Sequence, residues 1–262
     1  TNQQIVNAFS AAFNTWQNVS TSDLTFQYGG EVNRRSSGLA GPFADGVDGY
    51  NLVTFTDPDV VFPPGVVGLA LTFSFDTDVT INNANNDLDG DGSPDLANGL
   101  YPKGTIFDGD IIFNSALNYS LTGANGTLDI EAIALHEIGH FFGLSHSSID
   151  GAVMYPFLDN DVTQARIPKP DDLGYASLFY PQEPAFSATY GIITGTITNG
   201  FDNVRVLGAH VFAFDSSTGT KVAGAYSSID GSYRIPVPAG SYLVGIEPLD
   251  GDPPALNPAR IN

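Results

Sequence analysis

The chain has 262 residues with 29 acidic side chains against 9 Lys plus Arg, a net charge of −20, which argues against nucleic acid or an anionic membrane surface as partner and makes calcium a natural counter-ion. Cysteine is absent, so there is neither a disulfide framework nor a thiolate metal ligand, although bound calcium can stabilise a secreted protein in their place. No apolar run reaches the roughly 18 to 20 residues of a membrane span, and no signal-peptide pattern is present.

The length suits one large domain or two small ones. Because the chain starts at Thr1 without Met, we expect a mature form or fragment from which targeting and any pro-segment have been removed.

Residues 3 to 17 place Ile5, Phe9, Ala12, Phe13 and Trp16 at helical spacing, which predicts a first amphipathic helix. Leu24 to Tyr28 alternates like a half-buried strand ended by Gly29-Gly30. Residues 30 to 49 read as a loop, Asn51 to Thr56 as a second strand and Val67 to Phe75 as a third. From Asp76 to Asn98 the chain turns to Asp, Asn and Gly. Within it Asp87, Asp89, Asp91 and Asp95 occupy positions 1, 3, 5 and 9 of an EF-hand-type loop with Gly92 at position 6. Position 12 is Asn98 and no helical pattern flanks the loop, so the expectation is a structural calcium site without a switch; the plainer reading is a solvated acidic loop. A further strand is expected from Asp108 to Phe113.

The central stretch is His-Glu-Ile-Gly-His-Phe-Phe-Gly-Leu-Ser-His, His136 to His146, in a helix whose N-cap is Thr127 or Asp129. Four residues apart, His136 and His140 share one helical face and can reach one metal ion. Gly143 can take the left-handed conformation that ends a helix, returning His146 as third ligand. Glu137 lies beside the ligands, where it can hold a water, and the fourth tetrahedral position stays open, as a catalytic zinc requires. A closed structural cluster is the alternative, but such sites normally use four protein ligands and favour Cys.

Met154-Tyr155-Pro156 follows, then an irregular stretch to Pro170 and a last helix starting at Asp171-Asp172 and running through Phe179. Pro181 to Thr189 reads as a linker. Beyond it, Ile192–Ile197, Ala209–Phe214, Lys221–Tyr226, Ser232–Pro236 and Ser241–Ile246 read as short strands separated by Gly-containing turns, which predicts a small antiparallel β-sandwich. His210, alone on a strand, is expected to be a packed or surface residue and no ligand.

Taken together, residues 1 to about 180 resemble the matrixin branch of the metzincin metallopeptidases. The resemblance rests on Ala8-Phe9, Trp16, Leu24-Thr25-Phe26, Gly68-Leu69-Ala70 and Asp110 to Phe113. It continues through the zinc motif with Ser147, Ala152 to Pro156, Asp171-Asp172 and Leu178 to Tyr180. It implies an α+β fold: a metzincin catalytic domain (1–180) with a twisted mixed sheet and three helices, then a linker (181–190). The last part, 191–262, is similar to the all-β sandwiches of the carboxypeptidase-regulatory-like family, through residues 208 to 214 and 230 to 233.

By that resemblance Met154 is the Met-turn residue under the zinc, Tyr155 and Pro156 help wall the S1′ pocket, and the strand from Gly68 through Leu69 and Ala70 to Phe75 binds an extended substrate. Matrixins usually have a strand before the first helix, whereas this sequence begins at that helix, so the expectation is either that residues are missing upstream or that the sheet is one strand short. The second, structural zinc of vertebrate matrixins has no spare His here, so one zinc is expected, with calcium taking over the stabilising role. The implied function is that of a secreted, extracellular metalloprotease: a hydrolase of peptide bonds in protein or peptide substrates, acting through zinc-activated water with Glu137 as general base. The rival is a binding or adhesion protein that uses the C-terminal sandwich on a substrate or cell surface, with proteolysis secondary.

Overall fold

Helix α1, Asn2–Gln17, buries Phe9, Ala12 and Trp16 of the stripe that its spacing predicts and leaves Ile5 and Phe13 half-buried. The computed structural model describes residues 2–33, 47, 49–57, 60–82, 86–87, 93–124, 126–157 and 164–247. Contacts group the chain into two compact units, Thr1–Ser10 with Gln27–Gly143, and Ala11–Phe26 with Leu144–Asn262.

In the first unit the strands are β1 (Val53–Thr54), β2 (Gly68–Ser74), β3 (Val79–Ile81), β4 (Gly99–Tyr101), β5 (Ile106–Phe113), β6 (Tyr119–Ser120) and β7 (Leu128–Asp129). Its helix is α2, Ile130–Phe141. The main sheet has the order β1-β5-β2, with β1 parallel and β2 antiparallel to β5, so it is mixed. Central β5 is buried from Asp108 to Phe113, because both faces are covered. Asp110 is tolerated there since its carboxylate accepts the Leu52 N–H at 2.8 Å. Phe9, Phe55, Phe113 and Tyr119 meet in edge-on and tilted pairs with centroids 4.9 to 6.1 Å apart. Each such pair adds about 0.5–1.5 kcal/mol beyond the area it buries.

Two expectations for this part of the chain change. The strand expected over Asn51 to Thr56 shrinks to two residues. Leu24 to Tyr28 joins no ladder among the described residues: the Phe26 N–H is taken by the Gln17 side chain at 2.7 Å, so a local donor–acceptor pair replaces sheet pairing. The acidic region is bracketed by the antiparallel pair β3–β4, which the sequence reading left as loop.

In the second unit, α3 (Pro170–Phe179) and a short helix α4 (Ala185–Thr189) precede five strands. These are β8 (Tyr190–Thr196), β9 (His210–Asp215), β10 (Lys221–Tyr226), β11 (Ser232–Pro238) and β12 (Tyr242–Glu247), each within two residues of its expected start and end. They form two antiparallel sheets, β10-β9-β12 and β11-β8. Val211, Ala213 and Ala223 from one sheet and Ile235 and Val237 from the other make one buried cluster. On the opposite face of β9, Phe212 packs on Ile149 and Ala152. His210 lies against the Tyr226 ring at 4.2 Å, a packed residue whose pKa burial lowers.

Helix α3 lies on these strands. Tyr175 donates its hydroxyl to the carbonyls of Gly224 and Arg234 at 2.8 and 2.9 Å, and a Cβ on Gly174 would stand 3.1 Å from the Pro236 carbonyl. Contacts group residues 144 to 179 with the C-terminal strands. Among the described residues no helix is long and apolar enough to cross a membrane.

Candidate metal centre

Asp129 caps α2, its carboxylate accepting the Ala132 N–H at 2.9 Å, which decides between the two expected N-caps. The helix ends at Phe141 and Gly143 takes φ 104°, closing a turn with its N–H on the His140 carbonyl at 2.9 Å. This turn brings His146 back: the ligating atoms of His136, His140 and His146 lie within 4.8 Å of one another. His136 and His140 are half-buried and His146 is exposed, so the cluster opens to solvent.

The Nε2 atoms of His136 and His140 are 3.1 Å apart. Two nitrogens on one tetrahedral zinc, each about 2.0–2.1 Å from the ion, stand about 3.3 Å from each other. The geometry and the all-imidazole donor set therefore fit zinc, and His136, His140 and His146 would hold it.

Glu137 is buried, and burial pushes its carboxyl up to about 8, with the Ala70 backbone N–H pulling the other way. It lies against β2, where a Cβ on Gly68 would stand 2.7 Å from Oε1. In the β1-β5-β2 order β2 is an edge strand among the described residues, and Gly68, Leu69 and Ala70 pair with Phe113, Ile112 and Ile111 of β5. Tyr119, which the sequence reading passed over, fixes the start of this strand. Its hydroxyl donates to the carbonyls of Val67 and Asn114 at 2.7 and 3.0 Å, and burial pushes its pKa up to about 12.

Met154 is buried in a turn whose carbonyl accepts the Ser147 N–H at 2.7 Å. Asp172 holds that turn, its two oxygens accepting the N–H groups of Val153 and Met154 at 2.9 and 3.0 Å. A third bond, from Lys169 N–H at 2.7 Å, ties the same carboxylate to the start of α3. Tyr155 and Pro156 follow on the partly exposed side. From sequence, Asp171-Asp172 read as a helix start and as part of the resemblance, with no role of their own, because acids in a first turn are ordinary. Their burial, 2% and 1% exposed, is the feature that composition could not reveal.

Of the expected calcium ligands, Asp89 and Asp91 lie outside the described residues. Asp87 and Asp95 are exposed, and Asp95 N–H donates to the carbonyl of buried Asn86 at 2.6 Å, closing the loop between them. Among the described residues the three histidines are the only convergent group of metal-ligating side chains.

Residues 69–180 match the family model described as matrixin. The chain is 32% identical over 135 residues to metalloendoproteinase 4-MMP of Arabidopsis thaliana, covering 49% of this chain and 39% of the relative. It is 37% identical over 75 residues to karilysin of Tannerella forsythia, 25% of this chain and 16% of the relative. To stromelysin-2 of Rattus norvegicus it is 37% identical over 90 residues, 34% and 18%. The chain thus spans well under half the length of the relatives it matches. The matched span contains His136, Glu137, His140 and His146, and the likeness supports a zinc metalloendopeptidase.

Proposed function

We propose that the chain is a secreted zinc-dependent endopeptidase that hydrolyses peptide bonds in protein or peptide substrates outside the cell. Residues 1–180 are its peptidase module and, after the linker 181–190, residues 191–262 a carboxypeptidase-regulatory-like β-sandwich. The observation that carries this reading is the convergence of three imidazoles on one point, with a buried carboxylate beside the first of them.

Bound there, zinc supplies a Lewis acid that acidifies one water and polarises a peptide carbonyl. Glu137 accepts the water's proton and delivers it to the leaving amine. An extended peptide adds to β2 along Gly68, Leu69 and Ala70, on the side where no strand pairs among the described residues, exchanging main-chain hydrogen bonds. Tyr155 and Pro156 wall the pocket for the residue after the cleaved bond, and Met154 underlies the histidines. Calcium held by the loop of Asp87, Asp89, Asp91 and Asp95 stabilises the module.

Mapping cleavage sites by mass spectrometry on a denatured protein mixture tests the reading. The chain should cut, and Glu137→Ala or zinc chelation should abolish cutting, with zinc restoring the chelated sample. Equal cleavage by the variant would overturn it.

A further inference from the structure

The residue after His146 starts a buried chain of hydrogen bonds that ends in the C-terminal strands. Ser147 Oγ donates to Asp171 Oδ2 at 2.6 Å and accepts the Ile149 N–H at 2.9 Å. The other oxygen of Asp171 accepts the N–H of Gly224, in the middle of β10, at 2.9 Å. Asp171 is 2% exposed, so both bonds are made away from water, where leaving a donor unpaired is costly.

The rest of this turn is tied to the same strands. Ile149 and Ala152 pack on Phe212 of β9, and Tyr175 of α3 donates to the Gly224 carbonyl. A side chain at position 224 would run into Ser148 Oγ, a buried hydroxyl with no hydrogen-bond partner among the described residues. Glycine at 224 therefore lets β10 come close enough for its N–H to reach Asp171.

We propose that Asp171 is a positioning residue for His146 and that β10, through the Gly224 N–H, is a working part of the zinc site. The inference rests on the zinc-peptidase reading above. A module that served only as a spacer would meet its neighbour through hydrated surface contacts. Here a buried carboxylate takes one donor from the ligand's own turn and one from β10, so moving the strand moves the acceptor that holds Ser147.

The test uses the full chain and reads zinc affinity by competition with a chromophoric chelator, together with the visible absorption of the cobalt-loaded protein. Asp171→Leu should weaken zinc binding on the order of 10- to 100-fold and shift the cobalt spectrum, while far-ultraviolet circular dichroism is unchanged. Asp171→Asn should lose less, since its amide oxygen still accepts from Gly224. Gly224→Ala should weaken zinc binding, and adding Ser148→Ala should restore part of the loss by removing the hydroxyl in its way. That rescue would not follow from general weakening of β10. If Asp171→Leu does not fold, the Gly224→Ala pair decides. Wild-type affinity and cobalt spectrum in both folded variants would overturn this inference alone. A wild-type chain that takes up no zinc would overturn the zinc reading and this inference with it.

Discussion

Gly68 and Glu137 touch across β2 and α2 so closely that a Cβ on the glycine would stand 2.7 Å from Oε1 and 3.0 Å from Cγ and Cδ. The missing side chain is what lets the carboxylate tuck under the edge strand. Gly68→Ala should therefore displace Glu137 and lower kcat about tenfold or more, a share of the ~10²–10⁴ that a placed general base contributes. Zinc content, measured by mass spectrometry of the metal, should stay at the wild-type level. An unchanged kcat would show that the carboxylate has room to spare.

Glu137→Gln keeps the shape of the side chain and removes its basicity. We expect kcat to fall by about 10²–10⁴ with zinc affinity nearly unchanged. A parallel loss of zinc would instead make Glu137 a ligand or a support for one.

Asp172→Ala leaves the N–H groups of Val153, Met154 and Lys169 without their acceptor in a buried place. The expected loss is about 2–4 kcal/mol, somewhat below three separate unsatisfied donors because the burial of the carboxylate itself is relieved. Urea denaturation checks it; a loss under about 1 kcal/mol would mean that water replaces the carboxylate.

Burial raises the Asp171 carboxyl from its ordinary 3.8 to about 7, with the Asp172 charge adding to the rise and the Ser147 and Gly224 bonds opposing it. A folded-state pKa above the unfolded one means that the native chain binds the extra proton. This contribution to stability is complete below about pH 4 and is lost as pH rises to about 7. Asp171→Asn should flatten that part of the pH–stability curve. Denaturation midpoints across this range, with zinc removed by a selective chelator and calcium present, compare the two; parallel curves would refute the assignment.

Adding calcium should raise the melting temperature, and saturation at 100 times Kd corresponds to about 2.7 kcal/mol. Asp95→Asn should weaken the dependence on calcium concentration. Calorimetric scans over a calcium series read both, and scans that coincide would leave the loop as solvated acid.

The positions of α1, α2 and α3 and of the C-terminal strands were legible because each rests on local patterns, whereas α4 falls inside the stretch expected to be a linker. Trp16 falls on the apolar stripe of α1, and Val211, Ala213 and Ile235 fall on the inward phase of their strands. Leu24 to Tyr28 misled because alternation reports an amphipathic extended segment and is silent on whether a partner strand is free to pair. There the Gln17 side chain had already satisfied the Phe26 N–H.

The histidine cluster was determined by the sequence itself. His136 and His140 need only helical spacing, and His146 needs only a glycine that can turn the chain at 143, all within eleven residues. The tertiary structure alone decided what surrounds them: Gly68 against Glu137, Asp172 under the Met154 turn, and Asp171 between Ser147 and a strand residue 53 positions further on. Burial makes an ordinary first-turn acid the shared acceptor of Ser147 and Gly224, and it arises from packing between distant segments, which no local period encodes.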